Sequence, residues 1–331
     1  MAGRSGPGGG GCRTPEERSV GQGEHENRGL RSRRGWWLLW WPAGGGGRGG
    51  GVYCSRAHLA ALREKGLTVK SANGDFSVAP IVATDDPAEV GPVEAVLFCV
   101  KTYHVAEAAP LLAPLVGTST AILPLQNGVE TPEMLKALYG EGHVMGGLAY
   151  ISAAIDAPGT ISNPSTLARL IFGELDGRRS RRAEALLTCL QAAGIDAELS
   201  AAVRAAMWQK FLFICGLAGL TAASRRPIGA IRATVEARVL LREAMAEVTA
   251  VAALEEVALP ADAVEQAMRT VEAFAPDVKA SLLLDLEQGR PLELEALNGA
   301  VVRLAARHAL PVPVNRALYA IIRAAAAPMP A

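Results

Sequence analysis

The stretch EAVLFCVKTYHVAEAAPLLAPLVGTSTAILPLQNG, residues 94–128, decides the fold class. Its two ends, EAVLFCVKT (94–102) and STAILPLQNG (119–128), are near-continuous apolar runs, the pattern of a parallel strand covered on both faces. VAEAAPLLAPLV (105–116) between them reads as a helix. Strand, helix, strand implies a doubly wound sheet. Both runs end in polar residues, Lys101-Thr102 and Gln126-Asn127-Gly128, and open sheets of this type place their ligands at that carboxyl edge.

Working outward, HLAALREKG (58–66) reads as a short helix closed by Gly66. LTVKSANGDFSVAPIVATD (67–85) reads as a hairpin turning at Asn73-Gly74. VMGGLAYISAAI (144–155) and ARLIFGEL (168–175) carry further strand patterns, and SRRAEALLTCLQAAG (180–194) is an amphipathic helix stopped by Gly194. Beyond residue 200 strand signals vanish, and residues 201–224, 235–256, 261–274 and 292–308 read as helices. The expected organisation is a low-complexity segment over 1–51, an incomplete Rossmann-like α/β domain over 52–200, and an all-α domain over 201–325.

With 331 residues the chain can bury a large core, and its 33 basic and 33 acidic side chains cancel. That balance argues against a nucleic-acid or anionic-membrane partner and favours a small metabolite. The five cysteines (12, 54, 99, 189 and 215) are scattered, without zinc or disulfide spacing, which points to a reducing compartment and a cytoplasmic location. His58, His104, His143 and His308 are read as having no carboxylate or cysteine at ligand spacing, so no metal is expected. A homodimer is compatible with this composition.

Lys210 is the most informative residue, because between Arg204 and Arg225 it is the only charged side chain in AAMWQKFLFICGLAGLTAAS. Desolvation lowers the pKa of such an ammonium and makes it a proton donor near neutral pH; the bland alternative is a lysine that snorkels to water. Lys101 and Asn127 stand at two strand ends that a parallel sheet brings to one crevice. Ser281 and Glu293 lie in a mixed acidic and apolar segment, where a cap and a surface charge are the ordinary readings.

Five pieces in order, LFCVKTYH, LPLQNGVET, MWQKFLF, SLLLDLEQGRPLELEALNG and LPVPVNRALYAII, together resemble the ketopantoate reductase (2-dehydropantoate 2-reductase) family from about Ala57 to about Arg323. The resemblance implies an NADPH-binding Rossmann domain, a helical second domain, and reduction of ketopantoate to pantoate on the route to coenzyme A. Under it, Lys210 matches the lysine that protonates or polarises the substrate carbonyl. Glu293 matches an acidic residue that orients the substrate hydroxyl near the cofactor, and Ser281 a substrate-binding serine. Asn127 and Lys101 match residues meeting the nicotinamide-ribose side and the reacting centre. Family members often carry asparagines one and two turns after the catalytic lysine; here Ile214 and Ala218 stand there, which leaves open another branched 2-keto acid.

The amino end departs from the family. Gly44, Gly46 and Gly49 satisfy a G-x-G-x-x-G fingerprint, but too few residues separate them from residue 57 for the helix and strand that should come next. WWLLWW (36–41), ended by Pro42, reads as neither a core strand nor a helix start. The expectation is that a shifted frame or mistaken gene model has replaced the family's first strand–helix–strand unit, the family sequence resuming near Arg56 or Ala57. Arg56 is then the candidate for the cofactor phosphate. A chain existing as written should bind NADPH weakly or not at all, which keeps a non-catalytic scaffold as the alternative from another class.

Overall fold

A computed structural model describes residues 38–41, 51–53 and 56–327, with side chains from His58 onward. The chain forms β1 (Leu38–Trp41), β2 (Gly51–Tyr53), α1 (Arg56–Lys65), β3 (Leu67–Ser71), β4 (Phe76–Val78), β5 (Val82–Thr84) and β6 (Val93–Phe98). Next come α2 (Val105–Ala108), β7 (Val116–Pro124), α3 (Thr131–Tyr139), β8 (Met145–Tyr150), β9 (Ala154–Ala157), β10 (Thr160–Asn163), β11 (Arg169–Glu174), α4 (Arg181–Ala192) and β12 (Asp196–Leu199).

The main sheet has the order β5-β2-β1-β6-β7. Its core pair is the one expected: β6 and β7 run parallel, with Val96, Phe98, Ile122 and Leu123 fully buried. The connection between them is less regular than a single helix. Pro110 and Pro114 each remove an amide donor, so α2 gives way to a 3-10 stretch, Ala109–Leu115, which still buries Leu112 and Leu115. The hairpin also forms as read, with Val69 opposite Phe76, but it joins β9 and β10 in a separate four-stranded sheet. β8, β11 and β12 make a third sheet, docked beside β7 through the parallel bridge Ile122 to Val144.

The tryptophan run departs from its expected irregularity. Leu38–Trp41 is a strand, inserted between β2 and β6 and antiparallel to both. Without it the inner edge of β6 would leave a row of amides and carbonyls unpaired, and tryptophan is among the residues that favour strands although it is not β-branched. Ordered strand structure therefore reaches into the segment assigned to low complexity. Gly44, Gly46 and Gly49 lie outside the described residues.

From Val203 onward the chain is helical: α5 (Val203–Ser224), α6 (Ile228–Ala233), α7 (Val235–Leu254), α8 (Ala263–Ala273), α9 (Ser281–Glu287), α10 (Asn298–Arg307) and α11 (Pro313–Ala326). α5 is the axis of this bundle and is long and apolar enough to cross a membrane; 67% of its most apolar window is buried by the fold, so it serves as a core helix. Its first turns leave the bundle and pack on the third sheet, where Val203 and Met207 meet Leu148. Gly146 of β8 permits that approach, because a Cβ there would stand 2.8 Å from a Val203 methyl. Residues 292–308, expected as one helix, divide into a 3-10 turn, Glu293–Ala296, and α10, with Leu297 in a non-helical conformation between them. The division lets Glu293 turn back toward the sheet.

Candidate functional site

Two strand ends, one helix and one 3-10 turn converge at the carboxyl edge of the main sheet. β6 runs out through Cys99 and Val100 to Lys101, which is extended (φ −64°, ψ 148°) and does not cap the 3-10 turn it precedes, Thr102–His104. Its side chain is thereby free to cross the crevice. β7 runs out to Asn127, and the two ends are tied together: the Leu125 amide and the Gln126 side-chain amide both donate to the Phe98 carbonyl, at 2.9 and 2.7 Å.

From the helical side comes Glu293, 6% exposed. Its Oε1 accepts the Thr102 backbone N–H at 3.0 Å, while Oε2 accepts from Lys101 Nζ at 3.4 Å and from Asn127 Nδ2 at 3.3 Å. A buried carboxylate needs such donors to remain charged. On its far side Lys101 also meets buried Asp285 of α9 at 3.7 Å, and Arg290 in turn donates to Asp285 at 2.6 Å.

Lys210 completes the group. Its Nζ donates to Asn127 Oδ1 at 2.9 Å and to the Ala149 carbonyl at 2.7 Å, and it stands 5.6 Å from the centre of the Tyr150 ring. Burial in the apolar wall of α5 pulls the ammonium down from 10.5 to about 8, the Glu293 charge opposing that fall. The Tyr150 hydroxyl is pushed up by burial, with Arg169 opposing. Cys99 is pushed up to about 12 by burial, which leaves it no thiolate for chemistry at neutral pH.

Gly128 holds the two halves of the site in register. It has φ +93°, and a Cβ on it would lie 2.6 Å from the Ala296 carbonyl oxygen, so the turn after Asn127 touches the turn that begins at Glu293. Gly128→Ala is expected to push these turns apart and to lower turnover about tenfold, since small misplacements of reacting groups are costly. Steady-state kinetics on the folded variant checks this, and an unchanged rate would separate the register of the turns from catalysis.

Four of the residues singled out from the sequence, Lys101, Asn127, Lys210 and Glu293, thus meet in one network. Ser281 does not join it: it is exposed at the first turn of α9 and, among the described residues, has no hydrogen bond to the group. Arg56 opens α1 just beyond the end of β2, with its side chain outside the described part. Sequence reasoning missed Asp285, the Ala149 carbonyl and Tyr150. Asp285 reads as a surface helix charge, and a backbone carbonyl leaves no side-chain signal. A separate cavity of about 920 Å³ lies against Val129, Trp208 and Arg303 and is lined by none of the four network residues.

Chemically, the crevice presents an acidic ammonium on an apolar wall, an amide that fixes its direction, and a buried carboxylate neutralised by a second lysine. That set can donate a proton to an oxygen that is gaining negative charge.

Comparison with known proteins gives concordant findings. Residues 51–177 match the family model described as ketopantoate reductase PanE/ApbA, and residues 202–326 match that of the ketopantoate reductase PanE/ApbA C terminal. The match begins six residues before the expected Ala57, at the start of β2. The chain is 31% identical over 261 residues to the uncharacterized oxidoreductase YkpB of Bacillus subtilis, covering 78% of this chain and 85% of that protein. It is likewise 31% identical over 269 residues to the 2-dehydropantoate 2-reductase of Halobacterium salinarum, covering 81% and 88%. Among solved structures, the 2-dehydropantoate 2-reductase of Geobacter metallireducens superposes with a TM-score of 0.76 at 30% identity, covering 82% of this chain and 91% of that one.

Proposed function

Because the chain belongs to the ketopantoate reductase family, whose members are NAD(P)H-dependent oxidoreductases, we propose that it reduces 2-dehydropantoate to pantoate with NADPH, in pantothenate biosynthesis. The observation that carries this reading is the Lys210 ammonium, suspended between Asn127 Oδ1 and the Ala149 carbonyl at the edge where α/β sheets bind ligands.

The substrate's 2-keto oxygen takes a hydrogen bond from Lys210 Nζ. As negative charge develops on that oxygen, the nearby ammonium stabilises it and hands over a proton. A pKa of about 8 suits both roles, because the group is charged at neutral pH yet acidic enough to give the proton up. Asn127 aims the ammonium. Glu293 accepts a hydrogen bond from the substrate hydroxyl, while Lys101 and the Thr102 amide donate to its carboxylate and hold it in place. Ser281, exposed at the start of the helix that carries Asp285, is assigned to the substrate's outer end. Lys101, Asn127 and Glu293 offer a donor and an acceptor to the nicotinamide ribose and fit that end of the cofactor. The hydride comes from NADPH when that cofactor is bound.

Incubating the purified chain with 2-dehydropantoate and measuring loss of the reduced-nicotinamide absorbance tests the proposal, and no turnover with any 2-keto acid would end it. A second reading is favoured by Ile214 and Ala218. Placed four and eight residues beyond Lys210, they line up with it on the helix, and Ala218 is fully buried. An apolar wall suits a branched 2-keto acid with fewer hydroxyls than ketopantoate. A substrate panel is expected to show within-panel differences of about tenfold per mismatched polar group, and a preference for ketopantoate would remove the second reading.

A further inference from the structure

We infer that Arg303 is a positioning residue for this crevice: its guanidinium, on α10, ties the turn that carries Asn127 to the turn that carries Glu293 and so fixes both against Lys210. The inference rests on the proposed reductase function for the roles of those three residues, while the ties themselves are bonds of the fold.

Neither turn is held firmly by its own backbone. Asn127 follows the end of β7 and precedes Gly128 at φ +93°, and Glu130, at the start of α3, makes no side-chain cap to that helix. Glu293 opens a four-residue 3-10 turn, and non-helical Leu297 separates that turn from α10. A short 3-10 turn has poor hydrogen-bond geometry, and carbonyls at its end need donors from elsewhere. Inside the crevice the two turns share a side-chain bond, Asn127 Nδ2 to Glu293 Oε2, at a long 3.3 Å.

Arg303 supplies a second tie. Its Nη2 donates to Glu130 Oε2 at 2.7 Å and to the Glu295 carbonyl at 2.6 Å, and its Nη1 donates to Glu295 Oε2 at 3.1 Å. Glu130 belongs to the turn of Asn127 and Glu295 to the turn of Glu293, so one planar group spans both. The Tyr319 hydroxyl of α11 donates to Glu295 Oε1 at 2.8 Å, which anchors the tie on the body of the helical domain. A guanidinium holds its donors at fixed angles and sets the separation of its acceptors, whereas a flexible ammonium does not. Arg307 also reaches Glu130, at 3.6 Å, but among the described residues it makes no ion pair with Glu295 and does not join the turns. Arg303 is half-exposed, and exposed ion pairs contribute little to stability. Its effect therefore falls on rate, which is sensitive to displacements of about 1 Å in the groups around a reacting centre.

Arg303→Ala, Arg303→Lys and Glu130→Gln in the full chain test this. In Arg303→Ala kcat for 2-dehydropantoate is expected to fall about tenfold with KM changed less than about threefold, and Arg303→Lys to recover only part of the rate. Glu130→Gln should cost a similar factor, and combining it with Arg303→Ala should cost no more than about threefold beyond either alone, because both changes break one tie. Each variant is expected to melt within a few degrees of the parent. The parent's rate in Arg303→Ala, losses that multiply in the double variant, or a larger drop in melting temperature overturns the inference. Labelling of Lys210 by an amine reagent at a series of pH values, read by mass spectrometry of its peptide, adds a measurement without turnover. The groups around Lys210 are Glu293 across Asn127, Lys101 behind Glu293, and Tyr150 alongside. Loosening the Glu293 turn weakens the charge that opposes the effect of burial, so the labelling midpoint in Arg303→Ala is expected to move below the parent's, about 8. An unmoved midpoint overturns the inference. Failure of the parent to reduce 2-dehydropantoate would strike the proposed function, and the labelling midpoints would still decide whether Arg303 positions the network.

Discussion

Lys210→Ala lowers turnover about a thousandfold while the protein remains folded; this is the largest single effect expected. The size follows from the role proposed for the group: general-acid assistance and stabilisation of a developing oxyanion each contribute about a hundredfold or more. Neither Asn127 nor Tyr150 can substitute, because the one bears no charge and the other holds its proton more tightly when buried. Turnover in the parent protein is expected to fall as pH rises through about 8, where Lys210 loses its proton. Stability runs the opposite way. Below about pH 8 Lys210 is charged in the folded and unfolded states alike, and burying that charge costs on the order of 3 kcal/mol. Between about 8 and 10.5 the folded state releases the proton while the unfolded state keeps it, so stability rises with pH across that window. Lys210→Met should therefore melt no lower than the parent at pH 7, the lost bonds to Asn127 and Ala149 offsetting part of the gain. Thermal melts and pH–rate profiles on both variants check this; a turnover loss below about tenfold for Lys210→Ala would remove the lysine from catalysis.

That lysine is legible in the sequence because a lone charge within some twenty apolar and small residues is costly, and cost of that kind shows in one dimension. The same holds for β6 and β7, whose two covered faces leave no room for alternation, and for Asn73-Gly74, where Gly74 takes φ +112° in the hairpin turn. The features that stay hidden depend on partners remote in the chain. Leu38–Trp41 is a strand because β6 needs a neighbour, and nothing in WWLLWW states that need or its direction. Glu293 turns out of a helical pattern because the Thr102 amide, 191 residues earlier, awaits its carboxylate. Asp285 and Arg290 look like helix-surface charges until Lys101 is placed beside them. The Ala149 carbonyl belongs to β8 and has no side-chain signature at all. Ser281, by contrast, carries a signal only through family resemblance, and in the structure it is exposed and outside the network.

Glu293→Gln carries the second largest expected effect, about a hundredfold in turnover at pH 8. The titratable groups around Lys210 are Glu293 across Asn127, Lys101 behind Glu293, and Tyr150, uncharged, alongside. Of these Glu293 alone favours the ammonium, and it is the group that opposes the effect of burial. Removing its charge therefore lets Lys210 lose its proton at lower pH, so the alkaline fall in rate moves below about 8. The glutamine amide also turns a donor toward Lys101 or Asn127 where an acceptor stood, and a lost charge-assisted hydrogen bond of about 1.5–3 kcal/mol accounts for the hundredfold. Two features separate this from mere misfolding. Activity should recover partly on lowering the pH to about 6, where Lys210 is charged again, and the backbone bond to Thr102 can still be accepted by the glutamine oxygen. A variant that keeps the parent's alkaline limb and its rate would show that the carboxylate neither tunes the lysine nor meets the substrate, and the assignment of acid and orienting base across this crevice would have to be abandoned.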